Sequence, residues 1–441
     1  MTPYKFHEVI ILDSKTKFSP AASSGYFCVM ISFDEFELNN GLQVIVHQDP
    51  HSPVVCLNLL YKVGSRNEDP KKTGFAHLFE HLMFGGSENI PDFDTPLQSV
   101  GGDNNAFTSL DITNYYCTVP ADNVETAFWL ESDRMMGLSF DPKVLAVQKK
   151  VVVEEFKQRY LNQPYGDVWL KLRPAAYKVH PYRWPTIGME PSHIEQVTMD
   201  DVKDFFYKHY GPNNAILALS GDITLSQAKA LAEKWFGPIP AINLPSDEIE
   251  GEPIQNGARS ISVTAEVPSD AFYQVFHMPG RMAPGYHEVD LFSDLLGRGK
   301  SSYLYHDLVK SQELFRSISC YVTGTVDPGL IVISGKLSDK VSLPRAEEVI
   351  ADLLEGIWVK GIKEKDLERV KNQSEFAVAY SELDVQSKAL NLAYSAFLGN
   401  TNLVNEELER IKKIRGEDIL YQAKEVFNKN RSTTLYYKKA S

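Results

Sequence analysis

The sequence predicts an α+β fold made of two homologous domains, each a mainly antiparallel sheet packed with helices. Two observations support this prediction. Strand-like segments come in runs joined by short turns, whereas long helical segments cluster elsewhere, which is typical of α+β proteins and not of alternating βα units. The chain also resembles itself, because residues 194–217 have a counterpart at residues 411–434, which lie 217 positions later.

The first predicted element is a hairpin. Residues 35–38 and 42–46 are strand-like, and Asn39, Asn40 and Gly41 between them form a turn sequence. We therefore expect a pair of antiparallel strands at the start of the first domain.

Further strands and helices follow in separate groups. Apolar runs predict strands at residues 54–63 and 115–119, and helical periodicity predicts helices at residues 122–137 and 143–160. Asp141 and Pro142 support the start of the last helix, because aspartate is a favoured N-cap and proline is tolerated in the first turn.

Changes in composition predict the domain boundaries. Residues 1–30 fit the rest of the chain poorly, and we expect a poorly ordered N-terminal extension there. Residues 238–256 are acidic and rich in proline without hydrophobic periodicity, which predicts a linker. The first domain then spans residues 31–237, and the duplicated second domain spans residues 257–441.

Composition indicates a globular protein and disfavours several functions. With 441 residues, 43% of them hydrophobic, the chain can bury two or more cores. The net charge of −13 argues against nucleic acid as a partner. No apolar run approaches the roughly 18 residues of a membrane span, and none resembles a signal-peptide core. We expect a cytoplasmic protein, or a periplasmic one if the start site is misassigned.

The most informative motif is a pair of histidines four residues apart. His77, Glu80 and His81 share one face of a helix, because residues three and four positions apart are neighbours at 3.6 residues per turn. Two imidazoles at this spacing can bind one metal ion. The alternative is a surface helix with solvated histidines, but the neighbouring side chains are apolar, and an unpaired buried imidazole costs free energy. The motif therefore predicts a metal site, given a third ligand.

Glu155 is the predicted third ligand. It shares a face of the helix at residues 143–160 with Val151 and Val152, whereas its neighbour Glu154 lies beside lysines and faces water. An inward carboxylate needs a partner, and a metal ion held by the two histidines would be sufficient. The alternative is a buried glutamate satisfied by backbone donors.

The second copy of the internal repeat lacks these ligands. Asp290, Ser293 and Asp294 stand 213 positions after the two histidines and the glutamate between them. The second domain is therefore predicted to be non-catalytic, with chance similarity of helix patterns as the alternative.

The order of the motif residues resembles a known family. An H-x-x-E-H motif followed by a glutamate roughly 75 residues later resembles the inverted-motif zinc peptidases, the family of pitrilysin, insulin-degrading enzyme and the mitochondrial processing peptidase. The resemblance runs from about Phe33 to the end of the chain, as in half-length bacterial members. The segments that carry it are residues 74–87, 101–108, 113–116, 151–155, 162–166 and 180–182.

The resemblance implies a zinc metalloendopeptidase that holds one Zn²⁺ per chain. It makes His77, His81 and Glu155 the ligands of the metal and Glu80 the general base that activates a zinc-bound water. Many members have a second acid seven residues before the last ligand, where this chain has Gln148. A supporting role for Gln148 beside the ligands is therefore in doubt, but the zinc site itself is not.

The resemblance also implies a binding strand for an extended or unfolded peptide. Residues 104–108 are similar to the strand that lines the family's cleft, and an edge strand there would pair with the substrate backbone. Asn105, Ala106 and Phe107 are the predicted substrate-binding residues. Phe107 is expected to line a pocket beside the cut bond, with an ordinary core phenylalanine as the alternative.

Family members of about twice this length form a closed clamshell from two such halves, and the distal half contributes an arginine and a tyrosine. Val309 and Arg316 stand at the corresponding positions here. We therefore expect a dimer, either a homodimer or a heterodimer with a zinc-free homologous subunit. Because the family also contains non-catalytic subunits, a structural subunit or a peptide-binding module that retains zinc is the alternative function.

Overall fold

The computed structural model describes residues 30–246 and 248–440. The predicted N-terminal extension lies outside this part of the chain, except for Met30. Residues from Ile31 onwards form two sheets within one compact unit. The strands are β1 (Asp34–Glu37), β2 (Gln43–Gln48), β3 (Val54–Tyr61), β4 (Asp103–Thr108), β5 (Thr113–Pro120), β6 (Ala215–Gly221), β7 (Arg259–Ala265), β8 (Ala271–His277), β9 (Phe315–Val322), β10 (Leu330–Leu337) and β11 (Ser432–Lys439).

Helices cover the faces of both sheets. They are α1 (Phe75–Leu82), α2 (Asp94–Ser99), α3 (Val124–Met136), α4 (Pro142–Phe156), α5 (Val168–Ala176), α6 (Pro191–Glu195), α7 (Met199–His209), α8 (Leu225–Trp235), α9 (Tyr286–Gly297), α10 (Leu343–Lys360), α11 (Glu364–Ser381), α12 (Val385–Phe397), α13 (Leu403–Lys413) and α14 (Gly416–Val426). Among the residues that the structure describes, every helix is too short or too polar to span a bilayer.

The two sheets share one topology. The strand order is β1-β2-β6-β3-β5-β4 in the first sheet and β7-β11-β8-β10-β9 in the second. In both, one parallel pair, β2 with β6 or β7 with β11, adjoins strands that otherwise pair antiparallel. The second sheet therefore repeats the first without β1. This confirms the predicted α+β fold of two homologous domains.

The predicted elements of the first domain form with small shifts at their ends. β1 and β2 pair antiparallel as the expected hairpin. α4 begins as expected, because the side chain of Asp141 accepts a hydrogen bond from the backbone N–H of Lys143. The α-helix ends at Phe156 and continues as one π-helical turn, Lys157–Leu161. This wider turn changes the direction in which the side chains after Glu155 project.

The largest core lies between the first sheet and helices α1, α3, α4, α7 and α8. Phe79 of α1 and Phe128 of α3 are fully buried there. Burial of one such side chain stabilises the fold by roughly 1.5–3 kcal/mol. This core fixes α1 against the sheet.

Each half of the chain contributes one helix that packs on the sheet of the other half. α12 packs on the other face of the first sheet, where Ala389, Leu392 and Ala393 lie against β2, β3 and β6. In the reciprocal contact, α5 packs on the second sheet through Val168 and Leu172. α5 and α12 begin 217 residues apart and are equivalent in the repeat. Each sheet therefore packs against a helix from the other side of the predicted linker. The domain boundaries given above remain a prediction.

Candidate metal centre

Helix α1 begins at a turn that requires glycine. Gly74 has φ 93°, in the left-handed region, and a Cβ there would lie 2.5 Å from the carbonyl oxygen of Ile187. This turn leads the chain into α1 only a few residues after Glu68, which is buried.

The side chain of Glu68 caps this helix from outside it. Its Oε2 accepts a hydrogen bond from Gly74 N and its Oε1 accepts one from Ala76 N, both at 2.8 Å. Burial raises the pKa of Glu68 to about 8, although the two backbone bonds act in the opposite direction. The helix dipole, like the two backbone donors, favours the ionised form of this side chain. Sequence reasoning missed this residue, because its spacing from the helix matches no local capping pattern.

His77 and His81 project from α1 towards Glu155 on α4. The Nε2 atoms of the two histidines lie 3.1 Å and 3.5 Å from Glu155 Oε2. One ligand atom from each of the three residues lies within 4.8 Å of the other two. In a tetrahedral zinc site with bonds of about 2.0–2.2 Å, ligand atoms are roughly 3.3 Å apart. The donor set and its spacing therefore fit a zinc ion. Among the described residues, no other group of three such side chains converges in this way.

His77 and Glu155 form an ion pair. Burial lowers the pKa of His77, but hydrogen bonds to Glu155 and Glu80 outweigh it and raise this pKa to about 9. Hydrogen bonds from His77 and His81 hold the pKa of Glu155 well below its usual range.

Glu80 lies beside the ligands with a different partner. Its Oε2 accepts a hydrogen bond of 2.6 Å from the hydroxyl of Thr108 on β4, and it lies 3.6 Å from His77 Nδ1. Burial raises the pKa of Glu80, but hydrogen bonds from His77 and Thr108 outweigh it and lower this pKa. The carboxylate is therefore ionised at neutral pH and able to accept a proton. Thr108 was not singled out from the sequence.

The two adjacent glutamates of α4 face different environments. The side chain of Glu155 is 20% exposed and points to the histidines, whereas that of Glu154 is 63% exposed and pairs with Lys157. Arg159, in the π-helical turn, lies 3.0 Å from Glu155 Oε1. Gln148 is half-buried on α4, about 10 Å along the helix axis from Glu155.

The predicted substrate-binding residues lie on β4, an edge strand of the first sheet. Asn105 Oδ1 accepts a hydrogen bond of 2.8 Å from Ala106 N. Phe107 is 38% exposed and points to the opposite face of the strand from Thr108, because neighbouring side chains alternate. Phe107 lines a cavity, which therefore lies on the face of β4 opposite to Glu80.

In the second domain, α9 carries the residues that replace the ligand set. Ser293 donates a hydrogen bond to the carbonyl oxygen of Asp290, and Asp294 pairs with Arg298. Among the described residues, the side chains of α9 do not converge with a further acid or histidine as those of α1 and α4 do.

Comparison with known proteins gives two adjacent family matches. A family model described as "Insulinase (Peptidase family M16)" matches residues 43–189. A second, described as "Peptidase M16 inactive domain", matches residues 196–374. The first match contains His77, His81 and Glu155, and the second contains α9.

Individual relatives match nearly the whole chain. A Helicobacter pylori protein named zinc protease PqqE is 30% identical over 415 residues, which are 91% of each chain. The crystal structure of a protease from Helicobacter pylori has a TM-score of 0.87 and 27% identity, and the match covers 93% of this chain and 100% of that one. The periplasmic protease PqqL of Escherichia coli shares the fold, with a TM-score of 0.75 and 19% identity, over 92% of this chain and 47% of that one.

Proposed function

Because the chain belongs to the insulinase family of peptidases, family M16, we propose that it is a zinc-dependent endopeptidase that cleaves extended or unfolded peptides. The observation that carries this proposal is the convergence of His77, His81 and Glu155, with Glu80 beside them and outside the ligand set. Three protein ligands with a fourth position for water and substrate are typical of catalytic zinc sites, whereas structural sites usually have four.

The residues of the chain divide the chemistry between them. A bound zinc ion would supply a Lewis acid that polarises the scissile carbonyl and makes a coordinated water easier to deprotonate. Glu80 accepts the proton of the attacking water and delivers it to the leaving amine. The hydroxyl of Thr108 donates its hydrogen bond to Glu80 Oε2, so Oε1 remains available to accept this proton. Peptide hydrolysis then proceeds without a covalent intermediate.

The edge of β4 is the proposed binding strand for the substrate. An extended peptide can pair there with the backbone of Ala106, whose N–H faces the open edge, as strands are added to open sheet edges. The Asn105 side chain currently occupies the N–H of Ala106, and a substrate carbonyl would replace it. A folded protein cannot offer a free strand, so we propose unfolded segments as the substrate class.

We propose that the chain acts as a dimer, either a homodimer or a heterodimer with a zinc-free homologous subunit. Val309 is partly buried against the second core, and Arg316 pairs with Asp339 at the surface. Neither residue reproduces the arginine and tyrosine expected from a distal half. A partner surface is the simplest source of such groups. The lack of this arginine and tyrosine at the two positions also favours the alternative of a non-catalytic subunit that retains zinc.

The proposed compartment is the cytoplasm. The Escherichia coli relative PqqL is a periplasmic protease, so fractionation of the native host is needed to decide between the two compartments.

The proposed function is tested by zinc analysis together with cleavage of one substrate protein in its folded and its denatured form. We expect about one zinc per chain, cleavage of the denatured form, loss of cleavage on chelation and recovery with added zinc. Light scattering during the assay gives the oligomeric state. Cleavage by the metal-free protein would contradict the mechanism, and full turnover by a monomer would contradict the dimer.

A further inference from the structure

A cavity of about 460 Å³ lies on the face of β4 that is turned away from Glu80. Both halves of the chain line it. Phe107 and Arg173 come from the first half, and Thr323, Thr325 and Tyr394 come from the second. None of the predicted ligands, nor Glu80, belongs to its lining. Its size is within the range of small-molecule sites.

Arg173 of α5 is a cation of this cavity without a carboxylate partner in the described chain. Its Nη1 donates a hydrogen bond of 3.0 Å to the carbonyl oxygen of Tyr182, and the guanidinium lies 5.0 Å from the ring centre of Trp169. Its Nε is buried and has no hydrogen-bond partner among the residues that the structure describes. An arginine has five N–H donors, so most of its capacity is unused.

Two other arginines that are at least partly buried have acidic partners, unlike Arg173. Arg134 pairs with Glu131, and Arg281 pairs with Glu407. The groups whose charges act on Arg173 are tyrosines, and burial lowers its pKa. A desolvated cation without an anion is unfavourable, and such charges in proteins are normally paired or bound to a ligand. Arg173 therefore indicates a place for an anion.

The acid in the cavity wall, Asp111, is already engaged. It accepts hydrogen bonds from the hydroxyl of Tyr182 and from Val326 N, and it lies 3.5 Å from Arg66. Its carboxylate is thus held in a network that joins the two halves of the chain. The anion that complements Arg173 has to come from outside the described chain.

The remaining wall selects an anion with an apolar body. Phe107 presents an exposed ring, and Leu390 and Tyr394 of α12 belong to the same lining. A planar guanidinium matches a carboxylate with two parallel hydrogen bonds. Phe107 also belongs to the strand that we propose as the substrate-binding edge, which places a peptide next to the cavity.

We propose that this cavity binds the free carboxylate at the end of a peptide whose last side chain is apolar. The carboxylate pairs with Arg173, and the side chain packs on Phe107 and Tyr394. The choice of a peptide rests on the proposed function, whereas the preference for a carboxylate rests on the cavity alone. The chain would thereby favour peptides with a nearby free C-terminus over internal segments.

The test measures binding of N-acetylphenylalanine and of its amide by calorimetry, with chelator-treated protein so that neither zinc nor hydrolysis contributes. The two compounds differ in charge and hardly in shape. We expect the acid to bind at least about tenfold more tightly than the amide. Arg173→Gln should remove this preference.

Arg183→Gln is the matched control. Arg183 also donates to a backbone carbonyl, that of Lys178, and lies over an indole ring, that of Trp184, but it does not line the cavity. This variant should keep the affinity for the acid. Leu390→Trp fills the cavity and keeps Arg173. It should weaken binding of the acid at least about tenfold, and it tests the proposal if Arg173→Gln does not fold.

Equal binding of acid and amide to the unaltered protein would overturn the proposal, as would unchanged binding by Arg173→Gln or Leu390→Trp. An acid that binds only before chelation occupies the metal centre, which also overturns the cavity proposal but leaves the proposed function intact. Binding that follows the expected pattern in a protein without peptidase activity would support the cavity and count against the proposed function.

Discussion

Two adjacent glutamates on α4 differ in their surroundings, and only one of them is a proposed zinc ligand. Glu155 Oε2 lies 3.1 Å and 3.5 Å from the Nε2 atoms of the two histidines, whereas Glu154 pairs with Lys157 at the surface. Glu155→Ala removes one of three protein ligands, so we expect zinc affinity to fall by at least about 100-fold. Glu154→Ala is the matched control and should retain zinc. Metal analysis after dialysis checks both, and equal zinc loss in the two variants would reverse the assignment.

Zinc affinity should depend on pH through His77. The pKa of His77 is about 9 without metal, above its ordinary value, so the imidazole carries a proton at neutral pH and must lose it before it binds zinc. Glu155 is already ionised, since its pKa is depressed. The apparent affinity should therefore rise about tenfold per pH unit between about pH 6 and pH 8 and level off above pH 9. Competition with a zinc indicator measures this, and a flat profile below pH 8 would contradict it.

The convergence of His77, His81 and Glu155 was predictable from sequence, but most of their surroundings were not. The spacing of His77 and His81 and the apolar face shared by Glu155 are local properties of helices. Thr108 contacts Glu80 only because tertiary packing brings β4 beside α1. Arg159 stands four residues after Glu155, a local spacing that sequence reasoning could have used and did not. Phe107 was expected beside the cut bond, and its ring lies on the opposite face of β4 from Thr108; strand periodicity alone does not say which face meets the metal site.

At the level of elements, the placement of α1 depends on Glu68. Glu68→Ala leaves the N–H groups of Gly74 and Ala76 without their acceptors in a buried site, and each such group costs about 1–3 kcal/mol. We expect the free energy of unfolding to fall by roughly 2–4 kcal/mol, and zinc affinity to fall with it because His77 follows directly.

Asp69→Ala provides the comparison for this helix cap. Asp69 accepts a hydrogen bond from Lys71 N at the surface, so its removal should change stability by about 1 kcal/mol or less. Denaturant unfolding of the metal-free proteins, followed by circular dichroism, measures both variants. If Glu68→Ala were no less stable than Asp69→Ala, the cap would have no part in holding α1.

The extents of most elements of the first domain followed from local patterns. The β1–β2 hairpin and the start of α4 at Asp141 formed as expected, because turn and cap residues act over a few positions. The change from α-helix to π-helix after Phe156 was not predictable from periodicity. Nothing in the spacing of its residues, Lys157–Leu161, distinguishes the two forms.

For the whole molecule, the exchange of α5 and α12 makes the two halves dependent on each other. Separate fragments of residues 31–240 and 257–441 would each expose an apolar sheet face, such as that around Ile45 and Cys56. We expect each fragment alone to aggregate or to lack cooperative unfolding, and the two to form a soluble complex when expressed together. Size-exclusion chromatography and thermal unfolding check this. A first fragment that unfolds cooperatively by itself would show that α12 is dispensable.

The duplication was visible in the sequence, but the exchange was not. Matching segments 217 residues apart predict that each copy has the same topology, as the two strand orders show. Which copy's sheet a helix covers is a long-range contact, and the apolar faces of α5 and α12 suit either sheet. Only the packed structure separates these arrangements.

In the proposed mechanism, Glu80 accepts a proton and does not hold the metal. The most direct measurement compares zinc content and cleavage of an unfolded substrate for the unaltered chain and Glu80→Gln. Glutamine preserves the shape and can still receive the hydrogen bond from Thr108, but it cannot take up a proton. We expect zinc content to stay the same while the rate falls by about 100-fold or more. Loss of zinc from Glu80→Gln, or hydrolysis at the unaltered rate, would contradict the account.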